Sequence, residues 1–387
     1  MTDTTNLDPG EEEAFVSAVD RFLEGEVQPH VREWEHEDFY PHDIVAHMKE
    51  MGLFGCTIRA EYGGLGLPTR TYARLMERMS RVWMSLAGIV NSHLIMAMAV
   101  QNNGTEEQRR RFLPRFATGE LRGGVGLTEP DCGTDLQAIR TVARREGDHY
   151  VVNGSKTWIT NSLHGNCIAL LVKTDPRAEP RHRGMSLFIA EKRDGFKVVR
   201  KLDKLGYKGI DTCELLFEDY HVPADCLVGG EEGRGLKHVL NGLELGRINV
   251  AARGVGVAQA ALEQAVRYAQ QRRTFGKPIC EHQAIQLKLG EMATRVEAAR
   301  LLVRAAAEKF DRHERCDMEA GMAKYFATEA AYENATESVR IHGAYGYSRE
   351  FDAERLYRDA PLLLIGEGTN ELQRILIARQ LIERYPA

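Results

Sequence analysis

Apolar residues in the first third of the chain recur three and four positions apart, as in Phe15, Val19, Phe22 and Leu23. That spacing lines one face of an α-helix. The pattern runs from about residue 11 to residue 118 and is broken once, by Gly63-Gly64-Leu65-Gly66-Leu67-Pro68, so a helical region in two parts is predicted. Near Gly123 the texture changes to short apolar runs, 168–172, 185–189 and 213–217, separated by turn residues, which reads as antiparallel β. Asn153-Gly154 stands between Tyr150-Val151-Val152 and Lys156-Thr157-Trp158-Ile159 and predicts a two-residue hairpin, because both positions tolerate positive φ. From about Gly235 the helical period returns. Ile285, Leu289, Met292, Val296, Ala299, Val303 and Ala306 trace one face of a long helix, preceded by a break at Thr274-Phe275-Gly276-Lys277-Pro278. Further helices are predicted near 318–339 and 370–383. The expected fold is α+β: an N-terminal helical domain (1–121), a middle antiparallel β domain (122–232) and a C-terminal helical bundle (233–387).

A chain of 387 residues is long enough for two or three packed units and for burial of a large cofactor. Its 43% apolar and 28% charged content is that of an ordinary globular protein, and no window of about 18 uncharged apolar residues suggests a membrane span. The start is acidic (Asp3, Asp8, Glu11, Glu12, Glu13), unlike a secretory or transit leader, so a cytoplasmic location is expected. A net charge of -5 opposes nucleic acid as the main partner. The seven cysteines are scattered, with no pair at CxxC spacing, and read as reduced core thiols.

Several chemistries are excluded by their motifs. Gly254-Val255-Gly256-Val257-Ala258-Gln259 lacks the third glycine and the preceding strand of a dinucleotide fingerprint; its glycines read instead as points of close helix approach. The thirteen histidines include no HxxxH or HExxH pair, so no metal is expected, and a P-loop is absent. Three stretches remain. Gly126-Leu127-Thr128-Glu129-Pro130-Asp131-Cys132-Gly133-Thr134-Asp135 opens the β region as a polar turn. Asn153-Gly154-Ser155-Lys156-Thr157-Trp158-Ile159-Thr160-Asn161 puts an indole and a hydroxyl two residues apart, on one face of a strand, as a stacking surface for a flat heterocycle. In Leu364-Ile365-Gly366-Glu367-Gly368-Thr369-Asn370-Glu371 a glutamate sits between two glycines ahead of a helix. Flanking glycines permit an unusual backbone path and close approach of a ligand. A carboxylate whose basicity rises on desolvation suits the removal of a proton.

Those stretches resemble the signatures of the FAD-dependent acyl-CoA dehydrogenase family, and the resemblance covers about residues 11–385. It implies that family's helical, barrel-like β and helical domains, with FAD as cofactor and an acyl-CoA as substrate. By the same resemblance Leu127, Thr128, Gly133 and Thr134 bind the flavin, Trp158, Ile159 and Thr160 meet its ring, and Thr134 also lines the CoA channel. Lys204-Leu205-Gly206 through Leu215 resembles the run that closes the family's β domain. Arg272, Thr274, Phe275, His282 and Gln283 match the elements that reach the FAD of a neighbouring subunit, with Arg340, Gly343, Thr369 and Glu371 as further cofactor contacts. Glu367 is implied as the catalytic base, Gly368 as a substrate contact, Glu244 as the acid near CoA and Arg247 as the arginine beneath the base loop. The reaction implied is α,β-dehydrogenation to a trans-2-enoyl-CoA, with hydride transfer to flavin N5. Electron-transfer flavoprotein is the implied acceptor, and a homotetramer the implied assembly.

The sequence departs from the family pattern at three places. Gly366 replaces a common tyrosine before the base, which suits a branched or substituted acyl group. Gly246 occupies the position that supplies the base in a minority of relatives, so Glu367 is favoured. Arg340 and Ala344 stand where a glutamine and a second glycine are usual. Ser85, with Arg81 a turn away, occupies the place where relatives acting on dicarboxylic acyl groups carry an arginine, so a short or branched acyl group is expected rather than glutaryl. The rival readings are a flavin oxidase of the same fold using O2, which the chain length disfavours, and a flavin-bearing binding or regulatory module associated with DNA, opposed by the acidic balance. A cofactor-free helical scaffold would leave the two flavin-side signatures unexplained.

Overall fold

The computed structural model describes residues 8–386; residues 1–7 of the acidic start, on which the expectation of a cytoplasmic location rests, lie outside them. The chain opens with α1 (Pro9–Phe22), whose Asp8 side chain accepts from the Gly10 and Glu11 amides while Glu11 reaches back to the Asp8 amide. This reciprocal cap satisfies donors the helix would otherwise leave bare. Helices α2 (Val31–His36), α3 (His42–Glu50), α4 (Thr69–Asn103) and α5 (Glu106–Ala117) complete the first region. The loop that parts them runs through the glycine-rich break, where a Cβ on Gly64 would lie 2.0 Å from the Ile58 carbonyl oxygen.

The 35-residue α4 is the axle of the protein. It corrects one sequence expectation, since a window in it is long and apolar enough to cross a membrane; 89% of that window is buried inside the protein. Buried apolar side chains nearly all round are what a central core helix requires. The helix kinks at Trp83 (φ -151°, ψ 106°), where Arg355 takes the Val82 carbonyl and the buried indole packs against Gly209.

The middle region is a seven-stranded sheet in the order β1-β4-β2-β3-β7-β6, with β5 beside β4. Its strands are β1 (Gly123–Gly126), β2 (Val142–Glu146), β3 (His149–Thr160), β4 (Cys167–Lys173), β5 (Met185–Glu191), β6 (Phe196–Lys201) and β7 (Thr212–Pro223). The sheet is antiparallel except where β4 runs parallel to β1 and meets β2 at one parallel bridge. The predicted hairpin at Asn153-Gly154 is not there: both residues lie inside β3, which continues past them with a shift in its pairing to β7. Gly154 (φ 146°) serves close approach instead, since a Cβ on it would meet Thr141 Cα at 2.6 Å. The turn into β3 is made at Gly147.

The last region comprises α6 (Gly235–Gln271), the short pair β8 (Arg273–Thr274) and β9 (Lys277–Pro278), α7 (Gln283–Asp311), α8 (Asp317–His342), α9 (Ala353–Ile365) and α10 (Asn370–Arg384). The stripe predicted on α7 is buried from Met292 to Ala306. Helix α9, with Pro361 inside it, is additional to the helices the periodicity predicts. The glycine pair of α6 works as expected. A Cβ on Gly254 would lie 2.7 Å from the Ala327 carbonyl of α8, and one on Gly256 would lie 2.3 Å from the Glu77 carbonyl of α4. Long-range ties bind the three regions: the Arg358 fork of α9 donates to both oxygens of the buried Glu35 of α2, at 2.5 and 2.7 Å, and the Tyr207 amide donates to Asp359 at 2.6 Å.

Candidate active site

The loop joining α9 to α10 carries Glu367. Glu367 and Gly368 take positive φ values of 54° and 89°, and Thr369 caps α10 through the Leu372 amide. A left-handed backbone is costly for a glutamate and persists only where its surroundings impose it. Here the loop is stapled from below. The buried Lys324 ammonium of α8 donates to the Leu364 carbonyl at 3.2 Å and to Asn370 Oδ1 at 2.8 Å, and burial pushes that lysine down to about 8. Glu367 is thereby turned inward, with 19% of its side chain exposed. Its Oε1 accepts from Asn91 Nδ2 of α4 at 2.6 Å and lies 3.4 Å from Arg253 Nη2 of α6. Among the described residues its Oε2 has no hydrogen-bond partner, and it fills the space over Gly246, where a Cβ would come within 2.3 Å of it. Burial raises the Glu367 pKa, outweighing the opposing pull of Arg253 and the Asn91 amide. A desolvated carboxylate with one free oxygen has the character of a general base.

Polar groups continue beneath it. The Tyr72 hydroxyl donates to Asn91 Oδ1 at 3.3 Å and accepts from Asn249 Nδ2 at 2.7 Å. Arg253 Nη1 donates to the Tyr207 hydroxyl at 3.2 Å, and that hydroxyl presses so closely on α4 that a Cβ on Gly88 would lie 1.5 Å from it.

The two flavin-side stretches meet across one buried ion pair. Lys156 Nζ donates to Glu129 Oε1 at 2.8 Å and to the Leu127 carbonyl at 3.0 Å, and the Thr157 amide donates to the Thr128 carbonyl at 2.9 Å. The Arg140 and Thr141 amides complete the shell around Glu129. Burial works against its charge, but Lys156 and these donors hold the carboxyl below its ordinary value. The loop carrying Leu127, Thr128 and Gly133 is thus pinned beside Trp158 and Thr160. Thr134 and Gly133 are exposed at its rim, Thr160 is half-buried, and Trp158 (φ 60°) is swung outward with 59% exposed. Ile159 points into the core, which leaves its backbone for any ligand.

A second set gathers where α6 gives way to α7. Arg272, Thr274, Phe275, His282, Gly343 and Ala344 line a pocket of about 420 Å³ floored by Tyr268 and His342, whose rings stack at 4.2 Å. Thr274 Oγ1 and His282 Nε2 are 3.0 Å apart, and Phe275 is 97% exposed. Gln283 follows His282 on the exposed start of α7. Arg340 is outside this lining, exposed and paired with Glu337 at 2.5 Å. Glu371 lies exposed in the first turn of α10. Glu244 stays near Arg247, but its pKa is pushed up to about 7 by burial and by Asp317, towards which Arg247 turns at 3.9 Å. The arginine in contact with Glu367 is Arg253. Ser85 donates to the Lys208 carbonyl and Arg81 pairs with Glu263, so neither reaches the base.

Sequence reasoning missed Asn91, Arg253, Lys324, Tyr72, Tyr207 and Asn249 beside the base, and the Glu129–Lys156 pair behind the flavin-side loop. A signal existed for two of them. Arg253 interrupts the run Val250-Ala251-Ala252-Arg253-Gly254-Val255, and Lys324 stands among Ala320, Gly321 and Ala323; a lone charge in an apolar helix is buried for a reason.

The exposed indole of Trp158, accessible threonine hydroxyls, and a separate Arg272 and Phe275 pocket fit a dinucleotide with a flat ring at one end. Fold and site together define a flavin-dependent oxidoreductase. Three domain models match the chain: the acyl-CoA dehydrogenase N-terminal domain over residues 9–120, the middle domain over 124–220 and the C-terminal domain over 233–382. The 3-(aryl)acrylate reductase of Clostridium sporogenes is 40% identical over 94% of this chain and 96% of its own. An acyl-CoA dehydrogenase of Bacillus subtilis is also 40% identical, over 93% of this chain and 95% of its own. The butyryl-CoA dehydrogenase structure of Megasphaera elsdenii superposes with a TM-score of 0.93 at 36% identity, covering 97% of this chain and 99% of that one. The chain belongs to the acyl-CoA dehydrogenase family, and its cofactor is FAD.

Proposed function

We propose that Glu367 removes the α proton of a short or branched acyl-CoA thioester, forming a trans-2-enoyl-CoA as the β hydrogen leaves with its electron pair. FAD, when bound, supplies the hydride acceptor, its N5 atom. The observation that carries this reading is the Glu367 carboxylate itself, buried, raised in basicity and free at Oε2. Its backbone amide, on the loop that Lys324 pins, would serve as the oxyanion-type donor to the thioester carbonyl. Trp158 and Thr160 would bear on the flavin ring, and Thr128 and Thr134 would hold its edge and phosphate side. Glu244 and Arg247 serve the CoA side. A short acyl group is supported by close packing near the carboxylate: Gly246 lies against Glu367 Oε2, and Gly88 lies against the Tyr207 hydroxyl that Arg253 links to Glu367.

Electron-transfer flavoprotein as acceptor rests on family membership. A homotetramer is supported by apolar side chains left outside, namely Leu287 and Leu301 on α7 and Ile375 and Ile382 on α10, together with a groove of about 670 Å³ along α7. Anaerobic titration of the yellow holoenzyme with straight and branched acyl-CoAs tests the reaction. Bleaching by one acyl class, lost in Glu367→Gln with flavin content unchanged, is the expected result. Equal bleaching of both proteins would remove Glu367 from the role of base.

A further inference from the structure

Arg253 is a cation without a dedicated counter-ion. Its side chain is 5% exposed, it stands in the middle of α6, and among the described residues the one carboxylate within 4 Å is Glu367, through a single long contact of 3.4 Å. Its Nη1 is spent on the neutral Tyr207 hydroxyl, and its Nε has no partner. Beside it Asn249, wholly buried, has an unpartnered Oδ1, and Asn91 offers an amide donor that now serves Glu367. Burying a guanidinium is costly unless an anion and a full set of acceptors compensate it. Glu367 cannot be that anion throughout turnover, because a base becomes neutral when it takes the substrate proton. At that moment Arg253 would be left buried beside a neutral acid, unless a second negative charge is already present.

We propose that the second charge belongs to the substrate: Arg253, with Asn91 and the Tyr207 hydroxyl around it, receives a carboxylate at the far end of a short acyl group. In the structure Glu367 Oε1 occupies the place that carboxylate would take, held by the same Asn91 and Arg253 donors. The preference for a plain acyl group over glutaryl, read from Ser85, looks for the cation on α4; here it comes from α6, beside Glu367. A planar fork suits this task because it binds a carboxylate through two parallel hydrogen bonds. The inference rests on the dehydrogenation proposed above and narrows its substrate class.

The test compares glutaryl-CoA with butyryl-CoA as anaerobic reductants of the flavin, in the wild-type holoenzyme and in Arg253→Leu and Arg253→Lys. The wild type is expected to prefer glutaryl-CoA. Arg253→Leu is expected to lose about 100-fold of that preference, the order expected for one buried charge-assisted pair, while Arg253→Lys keeps part of it. If Arg253→Leu yields no flavin-loaded protein, the comparison is made between wild type and Arg253→Lys, and spectral titration of Glu367→Gln gives the relative affinities of the two thioesters without turnover. Butyryl-CoA preferred by the wild type, or both thioesters losing equally in Arg253→Leu, would show an arginine that only holds the base and would overturn the anion site while leaving the dehydrogenase reading intact. Bleaching by neither would remove both proposals together.

Discussion

Glu367 owes its chemistry to three side chains on three helices: Asn91, Arg253 and Lys324. Burial raises its pKa, whereas the Asn91 donor favours the ionised form. A base accepts a proton only when ionised, so with Glu367 as the proposed base the rate of anaerobic flavin bleaching by butyryl-CoA, which leaves Asn91 to Glu367, is expected to fall as pH drops through the raised pKa of Glu367. In Asn91→Leu that limb moves to higher pH, because a hydrogen bond to the charged form has gone. A limb that stays in place would show that Asn91 does not hold the carboxylate in the loaded enzyme. Glu367 itself is legible in the sequence, since a glutamate bracketed by glycines ahead of a helix has few structural reasons to exist. Arg253 is not legible in the same way: its role arises only where α6 crosses α4 beneath the base loop, and periodicity says nothing about which helices cross.

The flavin-side loop and β3 act as one unit through Glu129 and Lys156. Lys156→Met leaves Glu129 buried beside an apolar neighbour, and such a broken pair costs about 3–5 kcal/mol. Urea unfolding of the variant, with its flavin content, checks this; stability within a few tenths of wild type would mean the loop is anchored elsewhere. The failed hairpin at Asn153-Gly154 has a physical cause that a one-dimensional reading could not supply. Asn-Gly fits a turn, and it equally fits a strand whose neighbour comes too close for a side chain; the approach of Thr141 decides between them. The helical thirds were more legible because a period of 3.6 residues over many turns leaves little choice, and the stripe from Met292 to Ala306 is buried as its spacing predicts. The β1–β4 parallel pair was not legible, because it depends on how the chain crosses over from α5 to the sheet.

The outer surface is unfinished where α7 and α10 show their leucines and isoleucines to solvent. A charge placed there, as in Leu287→Glu, is expected to shift the sedimenting species from the proposed tetramer to smaller forms and to lower flavin retention, since Phe275 and Arg272 reach outward from the adjoining corner. A tetramer that retains its flavin in that variant would place the subunit contact elsewhere. The internal ties run the length of the chain: Glu35 to Arg358, Asn91 to Glu367, Tyr207 to Asp359. On the ribosome the elements leave in order, so the helices bearing Asn91, Arg253 and Lys324 all emerge before the loop they will hold. Glu367 is thus among the last groups of the chain to be made, and it reaches its partners only once the final helices can dock on elements synthesised before them.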